Sequence, residues 1–317
     1  MTRPTRSLRN MRPGPIALGA AMLATPASAV ALAAGQPDTQ GAIQINVSAT
    51  HVAYGGTETV TGSASRASAG RSVSLQFLAA GGSAWQTLQT TAAGSDGGFR
   101  FRARMRQSGR LRVVPATGSS RSFAGDPRPE QPSRARSVSV GSRLGVPTHS
   151  FNVLSGHAVK VGGGLLPALR GRQVVLLGRR GRSWHRLAST HTGAGGRFEL
   201  RYTPGGLGHD WLRVEFAGDS RNTRSHAYAG QVTVYRQSLA SWYNDAGATA
   251  CGFHAYYGVA NVSLPCGTHV RFRYGGRSVT AVVDDRGPYV GGRQWDLNQN
   301  SAAALGFSGV DTVWSSA

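Results

Sequence analysis

Short stretches in which apolar and polar residues alternate dominate the chain from about residue 43 to residue 235. In one of them, Phe99 and Phe101 would lie on one face of an extended strand and Arg100 and Arg102 on the other. Turns rich in glycine, serine and asparagine separate the stretches, and none has the period of an amphipathic helix. The pattern predicts a region of many short β-strands.

The alternating stretches recur about 100 residues further along the chain. For example, Leu111-Arg112-Val113 is answered by Leu212-Arg213-Val214. A unit of this length with some seven strands predicts a sandwich of two sheets, similar to the immunoglobulin-like modules of bacterial secreted proteins. We therefore expect two immunoglobulin-like β-sandwiches, over residues 43–140 and 141–235.

Each copy of the repeat contains a tryptophan at the matching place, Trp85 in the first copy and Trp184 in the second. Large aromatic side chains contribute much of the buried area of protein cores. We therefore expect both residues in the core between the sheets. The alternative is that they form exposed platforms for sugar rings.

The beginning of the chain has the order of a secretory signal. A leader with four arginines precedes an apolar stretch over residues 16–23 and the small residues Ala27-Ser28-Ala29. We expect a signal peptide over residues 1–29 and a linker over residues 30–42; the alternative is a short amphipathic helix of the mature protein. No apolar run reaches the roughly 18 residues of a membrane-spanning helix, so no transmembrane segment is expected. These features predict a protein secreted to the cell wall.

The formal net charge of +21 is concentrated in the middle of the chain. Residues 30–235 contain 25 basic and 9 acidic residues, a net charge of +16, whereas residues 236–317 contain 6 and 5, a net charge of +1. Arginines pair well with phosphates and carboxylates, so the sandwiches are expected to bind anionic wall polymers rather than nucleic acid. The alternative is a solvated arginine surface that reflects the coding bias of the genome.

From about Gln237 the arginines become fewer, and aromatic residues and aspartates cluster among turn residues. Several motifs there occur in the order and spacing of a known family: Ala240-Ser241-Trp242-Tyr243, Cys251-Gly252, the run from Gly258 to Thr268, Gly276-Arg277-Ser278-Val279, Asp284-Asp285-Arg286-Gly287-Pro288-Tyr289 and Trp295-Asp296-Leu297. On these motifs, residues 236–317 resemble the double-psi β-barrel of rare-lipoprotein-A-like proteins, which is related in fold to expansins and family-45 glycosidases. The resemblance implies a six-stranded double-psi β-barrel with a short helix, and hence an all-β chain.

The residues of this region suit such a domain. Two strands are expected over residues 270–274 and 277–283, because Gly275-Gly276 between them suits a tight hairpin turn. Asn298 is expected to cap the start of a short helix, and Gly306 to end it.

Three aspartates in this region are candidates for chemistry. Asp284 and Asp285 end a predicted strand, and because adjacent strand residues face opposite sides, only one of them can enter a given groove. The resemblance selects Asp285 as the acid and base of a lytic transglycosylase that cleaves peptidoglycan glycan strands. A second carboxylate nearby, Asp296, is expected to disfavour ionisation of the pair and to raise one pKa.

The sequence departs from the family at one catalytic position. The family has a histidine two residues before the Ser/Thr-Leu-Pro run, and this chain has Asn261 there. Asparagine can hydrogen-bond a sugar but cannot carry a proton at neutral pH, so we expect Asn261 only to assist. His254 and His269 are near in sequence, but nothing in the sequence places either of them in the groove.

Further residues are expected to contact the glycan through stacking or hydrogen bonds: Trp242, Tyr243, Arg286, Tyr289 and Trp295. The alternative for the aromatic residues is that they pack in the core of a small barrel. Cys251 and Cys266 are the only cysteines of an expected secreted chain, so a disulfide is predicted, with a catalytic thiol pair as the rival interpretation. No cofactor or metal is expected.

Three functions remain open on the sequence. The first is a weak lytic transglycosylase acting on peptidoglycan glycan strands. The second is expansin-like binding, in which the same groove holds a polysaccharide without cutting it and loosens the wall. The third is a structural wall-adhesion protein that binds through its basic sandwiches.

Overall fold

The computed structural model of the chain describes residues 42–65, 68–116 and 130–317. The expected signal peptide and all but the last residue of the expected linker lie outside the described residues. The described residues form an all-β structure with one short α-helix, as the sequence predicts. None of the helices in the described part of the chain is long and apolar enough to cross a membrane.

Two facing sheets form the first β-sandwich. One sheet has the order β1-β3-β6, the other the order β2-β8-β7-β4-β5. Both sheets contribute to one core, for example through Phe101 and Leu75, while Arg100 and Arg102 are exposed as the alternation predicts. The strands are β1 (Gln44–Val47), β2 (His51–Val52), β3 (Thr57–Ser63), β4 (Ser72–Ala79), β5 (Gln86–Ala92), β6 (Gly98–Arg104), β7 (Gly109–Pro115) and β8 (Arg136–Val140).

The second β-sandwich has the same plan. A sheet of order β14-β11-β9 faces a sheet of order β13-β12-β15-β16, with β10 paired in parallel to β16. Leu176 and Leu200, one from each sheet, lie in its core. The strands are β9 (Arg143–Gly145), β10 (His149–Leu154), β11 (Val159–Leu166), β12 (Gln173–Arg180), β13 (Ser183–His191), β14 (Arg197–Tyr202), β15 (Gly208–Gly218) and β16 (Thr223–Tyr243).

The expectation that Trp85 and Trp184 fill the sandwich cores is wrong. Both side chains are half-buried and lie outside the two core clusters. The guanidinium carbon of Arg112 lies 4.0 Å from the centre of the Trp85 ring, and that of Arg213 lies 4.2 Å from the centre of the Trp184 ring. These arginines alternate with buried residues on their strands, so they point outward. Each tryptophan therefore stacks on an arginine at the outer face of its sandwich.

A buried asparagine joins the two sandwiches. Asn222 has no exposed surface; its side-chain nitrogen donates to the carbonyl oxygens of Arg106, at 3.0 Å, and Gly141, at 3.2 Å. Its side-chain oxygen accepts from Nη2 of Arg172, at 3.3 Å. Because Arg106 belongs to the first sandwich and Arg172 to the second, one side chain satisfies polar groups of both.

Strand β16 leaves the second sandwich and continues without a break into a barrel, across the domain boundary expected at residues 235 and 236. The strand order is β16-β20-β17-β19-β18-β21, and β21 pairs again with β16, which closes the barrel. Two of the neighbouring pairs, β16 with β20 and β17 with β19, are parallel. The remaining elements are β17 (Gly258–Ala260), β18 (His269–Tyr274), β19 (Arg277–Asp285), β20 (Trp295–Asn298), α1 (Gln299–Leu305) and β21 (Asp311–Ser315).

The local predictions for the barrel are confirmed. Gly275 and Gly276, with φ of 54° and 83°, form the turn between β18 and β19, the backbone that glycine adopts most easily. The side chain of Asn298 accepts from the backbone N–H of Ser301 at the start of α1, and Gly306 ends the helix in the left-handed conformation. The apolar side of this helix packs against the barrel core through Leu305.

Replacing Asn222 by alanine should destabilise the protein by about 1–3 kcal/mol, because the carbonyl groups of Arg106 and Gly141 and Nη2 of Arg172 lose this hydrogen-bond partner at a buried position. Urea unfolding of the full chain, followed by fluorescence, measures this cost. Arg221→Ala, at the exposed neighbouring position, is the control and should leave the unfolding midpoint nearly unchanged. Equal midpoints for the two variants would contradict the bridging role of Asn222.

Candidate functional site

Two acidic side chains lie on one face of the barrel, on either side of a small residue. Ala260 on β17 is directly opposite Asp285 on β19 and directly opposite Asp296 on β20. Residues opposite one another in neighbouring strands share a face, and two strand spacings separate the Cα atoms of the aspartates by about 10 Å. Ser241 on β16, opposite Asp296, continues the row. We call Asp285, Ala260, Asp296 and Ser241 the carboxylate row.

An irregular register puts Asp285 rather than Asp284 in this row. Val259 pairs with Val283, but the next residue, Ala260, pairs with Asp285, so that Asp284 is passed over. Such a bulge re-aims the residues that follow it. The backbone therefore selects the same aspartate that the family resemblance selects.

The carboxylate of Asp284 has a structural role. The residue is completely buried, and its two oxygens accept from the backbone N–H groups of Ala255, at 2.8 Å, and Val259, at 3.1 Å. Burial raises the pKa of Asp284, and the charge of Asp245 adds to this, while the backbone hydrogen bonds oppose it. Gly258 lies against this carboxylate, and a Cβ there would overlap it. Asp284 thus anchors the loop between β16 and β17.

The same loop also holds Asp285. Its Oδ1 accepts from the backbone N–H groups of Ala250 and Arg286, both at 2.8 Å, and the side chain is half-buried. Its other oxygen, Oδ2, has no hydrogen-bond donor within residues 42–65, 68–116 and 130–317. One oxygen is therefore fixed by the protein and the second is available to a ligand.

Asp296 has a different environment. Its Oδ1 accepts from the hydroxyl of Ser241 at 2.9 Å. Partial burial raises its pKa, and the charge of Asp285 raises it further, whereas the Ser241 hydrogen bond and the charge of Arg293 lower it. The expected repulsion between the two carboxylates is present, but burial is the larger cause.

Asn261 uses its whole side chain to hold a turn. Its Oδ1 accepts from the backbone N–H groups of Ser263, at 3.1 Å, and Leu264, at 2.8 Å, and its Nδ2 donates to the carbonyl of Gln294, at 3.1 Å. The residue is only 7% exposed. It therefore lies beside the carboxylate row with both Oδ1 and Nδ2 engaged by backbone groups.

Arg286 also turns away from the carboxylate row. Its Nη1 donates to the carbonyl oxygens of Asn261 and Leu264, at 3.2 and 3.0 Å, and its Nη2 lies 2.9 Å from the sulfur of Cys266. The predicted disulfide between Cys251 and Cys266 is present. Arg286 and the disulfide thus fasten the segment that follows β17, and the guanidinium is not directed at a substrate.

The predicted contact of Trp295 with glycan is wrong. This residue is completely buried, and its ring lies 5.0 Å from that of Phe272 in the barrel core. It precedes Asp296 on β20, so alternation directs it to the opposite face. The sequence alone could have excluded Trp295 from the groove, because adjacent strand residues face opposite sides and Asp296 was already expected there.

The other three predicted contact residues differ in exposure. Tyr289 is 81% and Trp242 45% exposed. Trp242 follows Ser241 on β16 and is opposite Leu297, so alternation directs it to the face away from the carboxylate row, and its predicted contact with glycan in the groove is wrong. The hydroxyl of Tyr243 is buried without a hydrogen-bond partner in the described part of the chain. Burial raises the pKa of Tyr243, and the negative charges of Asp284, Asp245, Asp285 and Asp296, in that order, raise it further. The phenol of Tyr243 therefore stays protonated and lies in the field of the acidic groups.

Sequence reasoning did not place one titratable pair, His254 and Asp245. Nδ1 of His254 lies 3.1 Å from Oδ2 of Asp245. The hydrogen bond to Asp245 raises the pKa of His254, and the charges of Asp245, Asp284 and Asp285 contribute. The pair belongs to the loop that Asp284 and Asp285 hold, and only the contacts of that loop reveal it. No group of three or more potential metal ligands occurs among the described residues.

The comparisons with known proteins agree with the barrel. Residues 236–313 match a family described as lytic transglycolase, and this part of the chain is a double-psi β-barrel domain. No curated protein matches the chain. A chain from a structural study of T-cell activation by the bacterial superantigen toxic shock syndrome toxin-1 is 17% identical, with 30% of this chain and 99% of that chain covered. The TM-score of this match is 0.24, too low to indicate a shared overall fold.

Replacing Asp296 by asparagine should change the pH dependence of stability. Because the pKa of Asp296 is raised on folding, the folded state holds the proton of Asp296 more tightly than the unfolded chain does. In the unfolded chain an aspartate carboxyl titrates at about 3.9. The wild type therefore loses stability, relative to Asp296→Asn, as the pH rises from below this value through the raised pKa. Thermal unfolding of both proteins between pH 3 and pH 7 measures the difference.

Asp311→Asn is the matched control, since hydrogen bonds from Tyr274 and from the backbone of Thr312 lower the pKa of Asp311. The wild type should instead gain stability relative to Asp311→Asn as the pH rises towards the pKa that this carboxyl has in the unfolded chain. A difference for Asp296→Asn that is independent of pH, or that has the sign of the control, would contradict the raised pKa.

Proposed function

We propose that the barrel binds a glycan strand of peptidoglycan across the carboxylate row and cleaves it as a lytic transglycosylase. The observation that carries the proposal is the placement of Asp285 and Asp296 on one face, with only the methyl group of Ala260 between them. The family match of residues 236–313 supports a role with polysaccharides.

The two carboxyl groups divide the proton transfers. Asp296, whose pKa is raised, donates its proton to the glycosidic oxygen as the bond from that oxygen to the anomeric carbon breaks. The 6-hydroxyl oxygen of the same sugar bonds to the anomeric carbon, and its proton passes to the free oxygen of Asp285. The products are a 1,6-anhydro sugar end and a free 4-hydroxyl group. The motif resemblance alone implies both roles for Asp285.

His254 and Asp245 complete the proton path in this proposal. Asn261 occupies the position where the family resemblance expects a histidine, and its side chain is bound to backbone groups. His254, half-exposed and hydrogen-bonded to Asp245, is the imidazole whose pKa responds to Asp285. It takes the proton from Asp285 and passes it to solvent, and Asp296 regains from solvent the proton that it gave to the glycosidic oxygen. Asn261 and Arg286 position the neighbouring turn.

The exposed Tyr289, in the loop that follows Asp285, serves as a sugar contact. Its ring face is one on which the apolar face of a pyranose can pack. The hydroxyl of Tyr243 is buried beneath this surface, so Tyr243 contributes through its position among the acidic groups and not through a sugar contact. This assignment places the protein outside the cytoplasmic membrane, in contact with the cell wall, where the arginine-rich sandwiches meet anionic polymers.

A second candidate function is expansin-like binding without cleavage. The observation that favours it is Asn261. At this position the resemblance expects a histidine that carries a proton, whereas asparagine cannot do so and its Oδ1 is already hydrogen-bonded to backbone N–H groups. In that case the carboxylate row would hydrogen-bond a glycan and leave its bonds intact. The third function, wall adhesion through the sandwiches alone, does not use the row.

Digestion of purified sacculi distinguishes these functions. The wild type should release 1,6-anhydro-muropeptides, detected by mass spectrometry, and Asp285→Asn should lower the rate at least about 100-fold through loss of the base. Asp311→Asn, whose carboxyl lies at the start of β21 outside the row, should retain the wild-type rate. Sacculus binding by the wild type without anhydro products would favour the expansin-like function, and absence of both would leave wall adhesion.

A further inference from the structure

The outer face of the second sandwich combines exposed aromatic rings with arginines. It belongs to the sheet of order β13-β12-β15-β16, on the side away from the core. Its residues alternate with completely buried ones such as Leu212 and Val214, which fixes their outward direction. We call this surface the cationic aromatic face; it consists of Trp184, Arg186, Arg179, Trp211, Arg213 and Tyr228.

The strand register brings these residues side by side. In one row across the sheet, Arg179 is opposite both Trp184 and Trp211. In the next row, Arg213 is opposite Tyr228. Aromatic and cationic side chains therefore interleave over four strands, so the surface extends across the sheet.

Stacking holds the centre of the face in place. The guanidinium carbons of Arg213 and Arg179 lie 4.2 and 5.2 Å from the centre of the Trp184 ring. The rings of Trp184 and Tyr228 are 6.2 Å apart. Trp211 and Tyr228 nevertheless remain 46% and 56% exposed. A rigid platform with exposed rings loses little conformational entropy when a ligand binds.

The face has positive charge that the protein does not neutralise. Arg213 forms an ion pair with Glu215. Arg179 and Arg186 form no ion pair with an acidic residue among the described residues. Guanidinium groups of this kind pair with carboxylates through two parallel hydrogen bonds.

The first sandwich retains only part of this arrangement. Arg112 stacks on Trp85 as Arg213 does on Trp184, and its Nε donates to Gln76 at 3.0 Å. The position that corresponds to Trp211 is Arg110. The stack is thus common to both copies of the repeat, whereas the exposed rings distinguish the second copy.

We propose that the cationic aromatic face binds a polysaccharide whose sugars carry carboxylates. The exposed rings of Trp211 and Tyr228 accept the apolar faces of pyranose rings, and Arg179 and Arg186 pair with the carboxylates. A chain of polyol phosphates has no ring face to stack on these residues. The choice of a polysaccharide over a nucleic acid rests on the proposed function of the barrel.

The position of the face on the chain supports a polymeric ligand. Tyr228 and Ser241 of the carboxylate row lie on the same uninterrupted strand, β16. Thirteen residues of extended strand separate them by roughly 40 Å. One polymer could therefore contact the face while another segment of the wall occupies the barrel, so that the sandwich retains the enzyme on its substrate.

Isothermal titration of the full chain with polygalacturonate, a polymer of carboxylate-bearing pyranoses, tests the proposal. The double variant Trp211→Ala/Tyr228→Ala should weaken binding at least tenfold, and Arg186→Gln several-fold. Arg197→Gln is the charge-matched control: this arginine is exposed on β14, in the other sheet of the same sandwich, and its loss should change the affinity less than twofold. Binding should also weaken as salt is raised.

Three outcomes would overturn the proposal: no binding of polygalacturonate, equal binding of its methyl ester, or equal effects of Arg186→Gln and Arg197→Gln. Tighter binding of a single-stranded oligonucleotide than of polygalacturonate would identify a nucleic-acid surface instead. Asp311→Asn, a variant of the barrel outside the carboxylate row, should bind polygalacturonate like the wild type. Absence of anhydro products from sacculi, together with intact polygalacturonate binding, would refute the function proposed for the barrel and leave this proposal standing.

Discussion

The buried carboxylate of Asp284 is the constraint on which the site depends. It accepts the backbone N–H of Ala255, in the loop between β16 and β17, and that of Val259, in β17, and it lies where the register of β17 against β19 shifts. Without that shift Asp284 would be opposite Ala260, and Asp285 would point to the other side of the strand. Its burial carries a free-energy cost, as its raised pKa indicates, and the hydrogen bonds offset part of it. The result is a fixed direction for Asp285 and a fixed loop for His254 and Asp245.

Features that depend on neighbouring residues in the chain could be predicted from the sequence. The hairpin at Gly275-Gly276, the cap at Asn298 and the end of the helix at Gly306 each need only a particular residue at a particular backbone conformation. The disulfide followed from the number of cysteines and the expected secretion. The two copies of the repeat form similar sandwiches, because the same alternation of apolar and polar residues produces corresponding strands in each copy.

Features that depend on tertiary contacts could not be predicted in this way. The size of the side chain suggested a core position for Trp184, and the ability of an aromatic ring to stack on sugars suggested a groove position for Trp295; both predictions were wrong. Arginine stacking keeps the first at the outer face, and alternation beside Asp296 sends the second into the core. The contacts of Asn261 with the backbone of its own turn could be anticipated as a local motif, but the pairing of His254 with Asp245 required the folded loop.

The unbroken strand β16 makes the second sandwich and the barrel mechanically continuous. A flexible linker would let the two parts reorient, whereas here β16 pairs with β10 and β15 before residue 236 and with β20 and β21 after it. Two further contacts cross the junction: Arg271 donates to Thr233 at 3.1 Å, and the rings of Tyr235 and Trp314 are 5.9 Å apart. A ligand bound to the cationic aromatic face, as proposed above, would therefore hold the carboxylate row at a fixed distance and direction. Such an arrangement would raise the effective concentration only of glycan strands that run in the direction from the bound face to the carboxylate row. The orientation of the bound protein would therefore determine which glycan strands the barrel reaches.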